Sequence, residues 1–207
     1  MQEVIVQTAL RLFLQQGLRT TTMDQIADSL GISKKTLYEH FPSKEALIEG
    51  AANAFLNQLE ARMQELRQAH QGNTLLTMTA IANHAYHTLS SVNPILFNEL
   101  RRLLAPLRST VLNRIRATIS THLTQSLQEG IQQGIFRSDL PVDMLPTWVG
   151  YAIMHIVLNP SFAEEVKRSI PDIYAETFLL LLHGFCTEKG HKLLETYKNH
   201  IRETYAR

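Results

Sequence analysis

One cysteine, Cys186, stands in 207 residues, which excludes an internal disulfide and any multi-cysteine metal site and fits a reducing compartment. Long apolar runs are also missing. The longest, Phe178 to Leu182, covers five residues, whereas a membrane-spanning helix needs about twenty, so no membrane partner is expected. The stretch from Met1 to Leu14 is interrupted by Glu3, Gln7 and Arg11, which predicts no cleaved signal peptide and a cytoplasmic location. Catalytic signatures are absent as well: no HExxH, no GxSxG elbow, no P-loop and no glycine-rich dinucleotide turn, so neither catalytic residues nor a cofactor are expected. His84 and His87 lie three apart and could both touch a metal, yet no carboxylate or cysteine beside them completes a site, and exposed histidines explain them as well. No metal is expected.

Net charge is small too, +1 over the chain, but such a sum hides local fields. Residues 1–50 carry five basic against six acidic side chains, while Ser33 to Lys44 holds three lysines and His40 against Glu39 alone. Any attraction to polyanions therefore rests on where these few cations are placed. Between Asn98 and Arg116, Arg101, Arg102, Arg108, Arg114 and Arg116 face the single acid Glu99. That stretch reads as a solvated helix face or as partners for acidic residues of the head, with a second nucleic-acid surface as the alternative.

What the chain does have is a 44% apolar share, enough for a core without staples. Apolar residues recur at three- and four-residue spacing almost throughout, which predicts an all-α fold of about ten helices and no sheet. Gly17, Gly31, Pro42, Gly72, Pro94, Pro106, Gly134, Pro141, Pro160, Pro171 and Gly190 are expected between them. There is no internal repeat and no flexible linker. Two domains are expected: a three-helix head over residues 1–48 and a helical body over 49–207.

The head can be read residue by residue. Ile5, Ala9, Leu12 and Phe13 share one helix face, ended by Gly17 in a left-handed conformation. Thr22-Met23-Asp24-Gln25 has the form of a capping box opening a second helix. That helix buries Ile26, Ala27 and Leu30 and stops at Gly31, whose missing side chain permits the sharp turn of a helix-turn-helix, and Ile32 then plugs the core. Ser33 caps a short third helix, Lys34 to His40, with Leu37 and Phe41 inward. Ser43 caps a long fourth helix reaching about Gln68, with Glu45 in its first turn.

Lys34, Lys35, Thr36 and Tyr38 remain outside on the third helix, where lysine and threonine suit base edges in a major groove. Tyr38 and His40, together with Thr21, Thr22 and the amides that follow, suit phosphate oxygens. Across residues 5 to 47 the sequence resembles the tetracycline-repressor-like (TetR/AcrR) family of bacterial regulators. The residues that carry the likeness are Ile5, Ala9, Leu12-Phe13, Gly17, Thr22, Ile26-Ala27, Gly31-Ile32-Ser33, Thr36-Leu37-Tyr38, His40-Phe41, Ser43-Lys44-Glu45 and Leu47. The resemblance implies a homodimer on double-stranded operator DNA, acting as a repressor, with a helical body that binds a small-molecule effector and releases DNA. It makes Thr22, Ser33, Lys34, Lys35, Thr36, Tyr38, His40 and Lys44 the DNA-binding set. Lys35 stands where the family commonly has a small residue, and only Met1, Gln2 and Glu3 precede the first helix, so contacts from a basic arm are not expected.

In the body, Leu75, Met78, Ala82, Ala85 and Leu89 form one apolar stripe, and Val111, Ile115, Ile119, Leu123 and Leu127 another; both are expected in the core. Met63, Met78, Tyr86, Phe97, Trp148 and His155 are candidates to line an effector cavity, although ordinary core packing explains the same residue types. Helices near 144–158 and 172–186 are apolar on more than one side, which predicts a two-fold four-helix dimer contact, closure of the monomer core being the other reading. Cys186 is expected as packing. Two functional alternatives use the same residues: an architectural or cell-division adaptor with this head and no effector, and an all-helical enzyme with a vestigial head.

Overall fold

The computed structural model describes residues 1–102 and 105–205. Eleven helices run through them: α1 (Gln2–Gln16), α2 (Met23–Leu30), α3 (Lys34–His40), α4 (Lys44–Ala69), α5 (Thr74–Ser91), α6 (Ile95–Arg101), α7 (Ala105–Gln132), α8 (Leu145–Leu158), α9 (Pro160–Glu165), α10 (Ile170–Phe185) and α11 (Glu188–Tyr205). No strand occurs among the described residues, only an isolated antiparallel bridge between Phe136 and Cys186. Pro106, Pro160, Pro171 and Gly190, expected between helices, instead lie in the first turns of α7, α9, α10 and α11. A proline fits there because the first amides of a helix have no partner within it. Of the helical body expected over residues 49–207, residues 103, 104, 206 and 207 lie outside the described residues.

The chain divides into two compact units, one of Met1–Glu60 with Ser91–Arg114, the other of Ala61–Ser90 with Ile115–Arg207. The expected head of residues 1–48 is thus part of a larger unit that also takes in α6. In this unit Ile5, Ala9, Leu12 and Phe13 of α1 are buried together with Ile26 and Ala27 of α2 and Leu37 of α3. Leu30 and Ile32, expected in the core, are only half-buried. Gly17 has the expected positive φ of 92°, but its ψ of 165° is extended, so it is not in the left-handed helical region. Arg114 pairs with Glu60 at 3.0 Å and reaches Asn57, so one arginine of the basic stretch is held by acidic and amide partners on α4.

The second unit has its core in Leu75, Met78, Leu127, Ile135, Phe136, Leu145, Val149, Leu182, Phe185, Cys186 and Leu194. Phe136 and Phe185 meet edge to face with centroids 6.2 Å apart. Burial pushes the Cys186 thiol up to about 11, which keeps it protonated and unreactive near neutral pH. Arg67, near the end of α4, donates to both carboxylate oxygens of Glu129 and to Ser126 and the His122 carbonyl on α7. The expected α7 stripe is a correction: only Leu127 is fully buried, while Val111, Ile115, Ile119 and Leu123 are half-buried.

On α8, Val149 and Leu145 face the core, whereas Met144, Trp148, Tyr151 and His155, spaced four, three and four apart, face out. Trp148 is 54% exposed. Trp148 and His155 therefore do not line an interior of this chain; the helical period puts them opposite the residues that pack. Arg116 lies over the Tyr151 ring, 4.2 Å from its centroid. On α10, Leu180 is 75% exposed while Tyr174, Ala175, Leu182 and Phe185 are buried.

The link after α7 is tied to the link before α11. Thr187 donates from its amide to the Ile135 carbonyl at 2.9 Å and from its hydroxyl to Gly134, and Arg137 donates its amide to Phe185. Gly190 sits so close that a β-carbon would lie 2.2 Å from the Ile135 carbonyl oxygen. Gly190→Ala should lose about 1–3 kcal/mol to this backbone clash, outweighing a helix-propensity gain of about 1 kcal/mol at most. A urea titration measures it as a lower midpoint with unchanged slope; an unchanged midpoint would mean that the junction gives way freely.

Candidate nucleic-acid interface

Short helices need their ends closed, and both ends of the α2–α3 turn are. The Thr22 hydroxyl accepts from the Gln25 amide at 3.2 Å and the Gln25 side chain accepts from the Thr22 amide at 2.9 Å, a complete capping box. At the other end Gly31, with φ 64° and ψ 29°, is left-handed. Its amide donates to Asp28 and that of Ile32 to Ala27, both at 3.1 Å, the paired bonds of a Schellman motif. Ser33 then accepts from the Thr36 amide at 3.0 Å and opens α3.

Leu37 is 0% exposed and anchors α3, while Lys34, Lys35, Tyr38, Glu39 and His40 are exposed and Thr36 is half-buried. Two hydroxyls of the expected set are partly committed: those of Ser33 and Thr36 bond each other at 2.8 Å. Lys34 is committed too, through an ion pair with Asp24 of α2 at 2.7 Å. The hydrogen bond that Lys34 donates to Asp24, and then the Asp24 charge, raise the Lys34 pKa above its ordinary value, so the ammonium stays charged.

Lys44 differs from the other lysines. It is half-buried at the start of α4, its Nζ donates to the Arg19 carbonyl at 3.4 Å, and desolvation lowers its pKa against the opposing pull of Glu99. Thr21, expected to reach phosphate, is 0% exposed and donates its hydroxyl to the Gly17 carbonyl at 2.8 Å. It closes the α1–α2 turn from inside. Thr22, Ser33, Lys34, Lys35, Thr36, Tyr38 and His40 are brought together on the α2–α3 side of the unit, with Lys44 beside the α1–α2 turn.

Reading the sequence missed Asn93, just before α6, and Glu99 within it, which grip the end of α1 and that turn. Glu99 is buried and accepts from the amides of Leu18 and Arg19, the latter at 3.1 Å. The only hint in the sequence was that Glu99 is the one acid in the arginine-rich stretch. Of the effector candidates, Phe97 is buried in the first unit, Met63, Met78 and Tyr86 are buried in the second, and Trp148 and His155 face out. His84 titrates below its ordinary value through desolvation and the nearby charges of Arg62 and His87. Among the described residues no cluster of three or more histidine, cysteine or acidic side chains could hold a metal, and no helix is long and apolar enough to cross a membrane.

A family model described as bacterial regulatory proteins, tetR family, matches residues 5–51. The HTH-type transcriptional repressor KstR2 of Rhodococcus jostii (strain RHA1) is 31% identical over 143 residues, covering 68% of this chain and 70% of that protein. KstR2 of Mycolicibacterium smegmatis is 29% identical over 200 residues, covering 92% and 93%. Among solved structures, the ketosteroid transcriptional regulator KstR2 of Mycobacterium tuberculosis superposes with a TM-score of 0.54 at 24% identity over 90% of this chain and 95% of that one. Reduced NemR of E. coli gives a TM-score of 0.67 at 18% identity over 90% and 97%. These last two likenesses are of fold.

Asp24 both neutralises Lys34 and places a negative charge beside α3. Asp24→Asn should therefore bind duplex DNA several-fold more tightly at low salt, because a negative charge beside α3 is removed and Lys34 is released to meet a base edge. Thermal stability should barely change, because the pair is exposed. Anisotropy titrations at several salt concentrations measure this, and an unchanged affinity would place Asp24 and Lys34 away from the DNA.

Proposed function

As a member of the tetR family of bacterial regulatory proteins the chain is a DNA-binding transcriptional regulator, and we propose that it is a repressor that blocks a promoter and leaves its operator when a small molecule occupies the helical body. The observation that carries this reading is α3: a helix of seven residues spends Leu37 on the core and leaves its other face free. Lys34, Lys35 and Thr36 at its start would meet base edges, lysine donating to guanine acceptors. Tyr38, His40, Thr22 and Lys44 would hold phosphates and so set register without reading sequence. Ser33 would contribute mainly by capping, since its oxygen already serves the Thr36 amide. The site of action is the cytoplasm, and no catalysis is assigned.

Two copies are needed for this reading. Met144, Trp148, Tyr151 and His155 of α8 with Leu180 of α10 make an outward apolar and aromatic face that water covers at a cost. A two-fold contact that buries this face against itself gives a four-helix bundle and two heads, which would read half-sites about one helical turn or a multiple apart. For the effector, Met63, Met78 and Tyr86 remain the interior candidates. The buried Oδ1 of Asn83 has no hydrogen-bond partner among the described residues and would accept from a ligand hydroxyl. Because KstR2 of Mycobacterium tuberculosis, which shares this fold, is a ketosteroid transcriptional regulator, bulky apolar compounds with few polar atoms are the class to screen first.

A titration with the DNA flanking the chain's own gene, over a salt series, tests the head. The wild type should bind with steep salt dependence, and Tyr38→Ala should weaken binding roughly tenfold or more, as expected for losing a hydrogen bond to a charged oxygen. Absence of binding by the wild type even at low salt would reject the regulator reading of the head.

The dimer face has its own test. Trp148→Glu should shift the protein from dimer to monomer by light scattering, with operator affinity falling while the head stays folded. A mutant that remains fully dimeric would move the contact elsewhere.

A further inference from the structure

The backbone between the end of α1 and the start of α2 carries polar groups with no helix to bond to, and buried groups of that kind must find partners. Their partners come largely from α6 and the residue that leads into it. The Leu14 carbonyl accepts from the Asn93 amide at 2.9 Å, and the Gln15 carbonyl from the Asn93 side chain at 3.0 Å. The amides of Leu18 and Arg19 donate to the two oxygens of Glu99, across 81 and 80 residues of sequence. Lys44 and Thr21 take the carbonyls of Arg19 and Gly17. Room for the carboxylate exists because residue 17 is glycine: a β-carbon there would lie 2.8 Å from Glu99 Oε2.

We infer that Glu99 is a positioning residue for DNA binding. The inference rests on the reading of the head as a DNA reader. The carboxylate holds the plane of two successive amides, three and four residues before Thr22. It thereby sets where the N-terminal end of α2 presents Thr22 and the amides after it. Bonds to an ionised acceptor are about twice as strong as neutral ones, and water reaches this carboxylate poorly, since Glu99 is only 8% exposed. No other acid lies between Asn98 and Arg116 to take over. The DNA-reading unit accordingly includes α6, although all of the fourth and fifth helices separate it from α3 in sequence.

Full-length wild type, Glu99→Gln and Glu99→Ala are compared in two measurements. The first is operator binding, with the active fraction fixed by stoichiometric titration. Glu99→Ala should bind about tenfold or more weakly with a full active fraction. Its salt slope should be unchanged, because no phosphate-contacting cation is removed. Glu99→Gln, which keeps one acceptor oxygen, should recover much of the loss. The second measurement needs no DNA: the amide protons of Leu18 and Arg19 in 15N-labelled protein should move upfield and exchange faster in Glu99→Ala, with one of the two restored in Glu99→Gln. If Glu99→Ala does not fold, Glu99→Gln carries both tests, with an intermediate loss expected. Wild-type affinity in the variants overturns the inference alone, as does a loss explained entirely by a smaller active fraction. Failure of the wild type to bind any duplex overturns the reading of the head and the inference with it.

Discussion

Burying Leu37 is the contact on which the rest of the head depends. A helix of seven residues is far below the length at which an isolated helix is even marginally stable in water, so α3 exists only where α1 and α2 give it a surface. A fully buried leucine contributes about 1.5–3 kcal/mol, and the Ser33 cap and the Schellman bonds at Gly31 and Ile32 satisfy the backbone on the approach. With one side chain carrying the anchorage, the exposed face is free to carry lysines, a phenol and an imidazole. A helix with two or three inward anchors over the same length would have fewer such positions.

The two units solve the problem of loose backbone in the same way. In the first, Asn93 just before α6 reaches the end of α1, and Glu99 of α6 reaches the α1–α2 turn. In the second, Thr187 and Lys189 reach the carbonyls that follow α7. Each junction also uses a glycine at the point of closest approach, Gly17 against Glu99 and Gly190 against Ile135. Polar side chains distant in sequence thus serve groups that a helix end leaves orphaned. Where side chains have no such task, as on the outward face of α8, large apolar residues stay exposed in a single chain. That face is the one the proposed two-fold contact would cover.

Helix boundaries in the head were legible in the residue order to within a position or two, and the reason is range. The capping box at Thr22 and Gln25, the left-handed Gly31 and the Ser33 cap are bonds between residues at most four or five apart. Their chemistry is written in consecutive letters. The inward faces of α1 and α2 were legible through period alone, as Ile5, Ala9 and Ile26 testify. Leu30, Ile32 and most of the α7 stripe lie only half-buried, because periodicity tells which side of a helix is apolar and says nothing of how completely a neighbour covers it.

What only the tertiary structure decided are matters of which distant group meets which. Thr21 and Thr22 are adjacent threonines of equal chemistry, yet the first is sealed inside the turn and the second lies on the surface. Trp148 and His155 look like interior residues by type and turn out to face away from Leu145 and Val149. Glu99 finds two amides some eighty residues back. Residue order by itself determined the helices, their caps and the polar face of α3, since those depend on interactions within a turn or two. Burial and long-range partners emerged only on folding, because they depend on packing between segments whose separation along the chain carries no record of their contact.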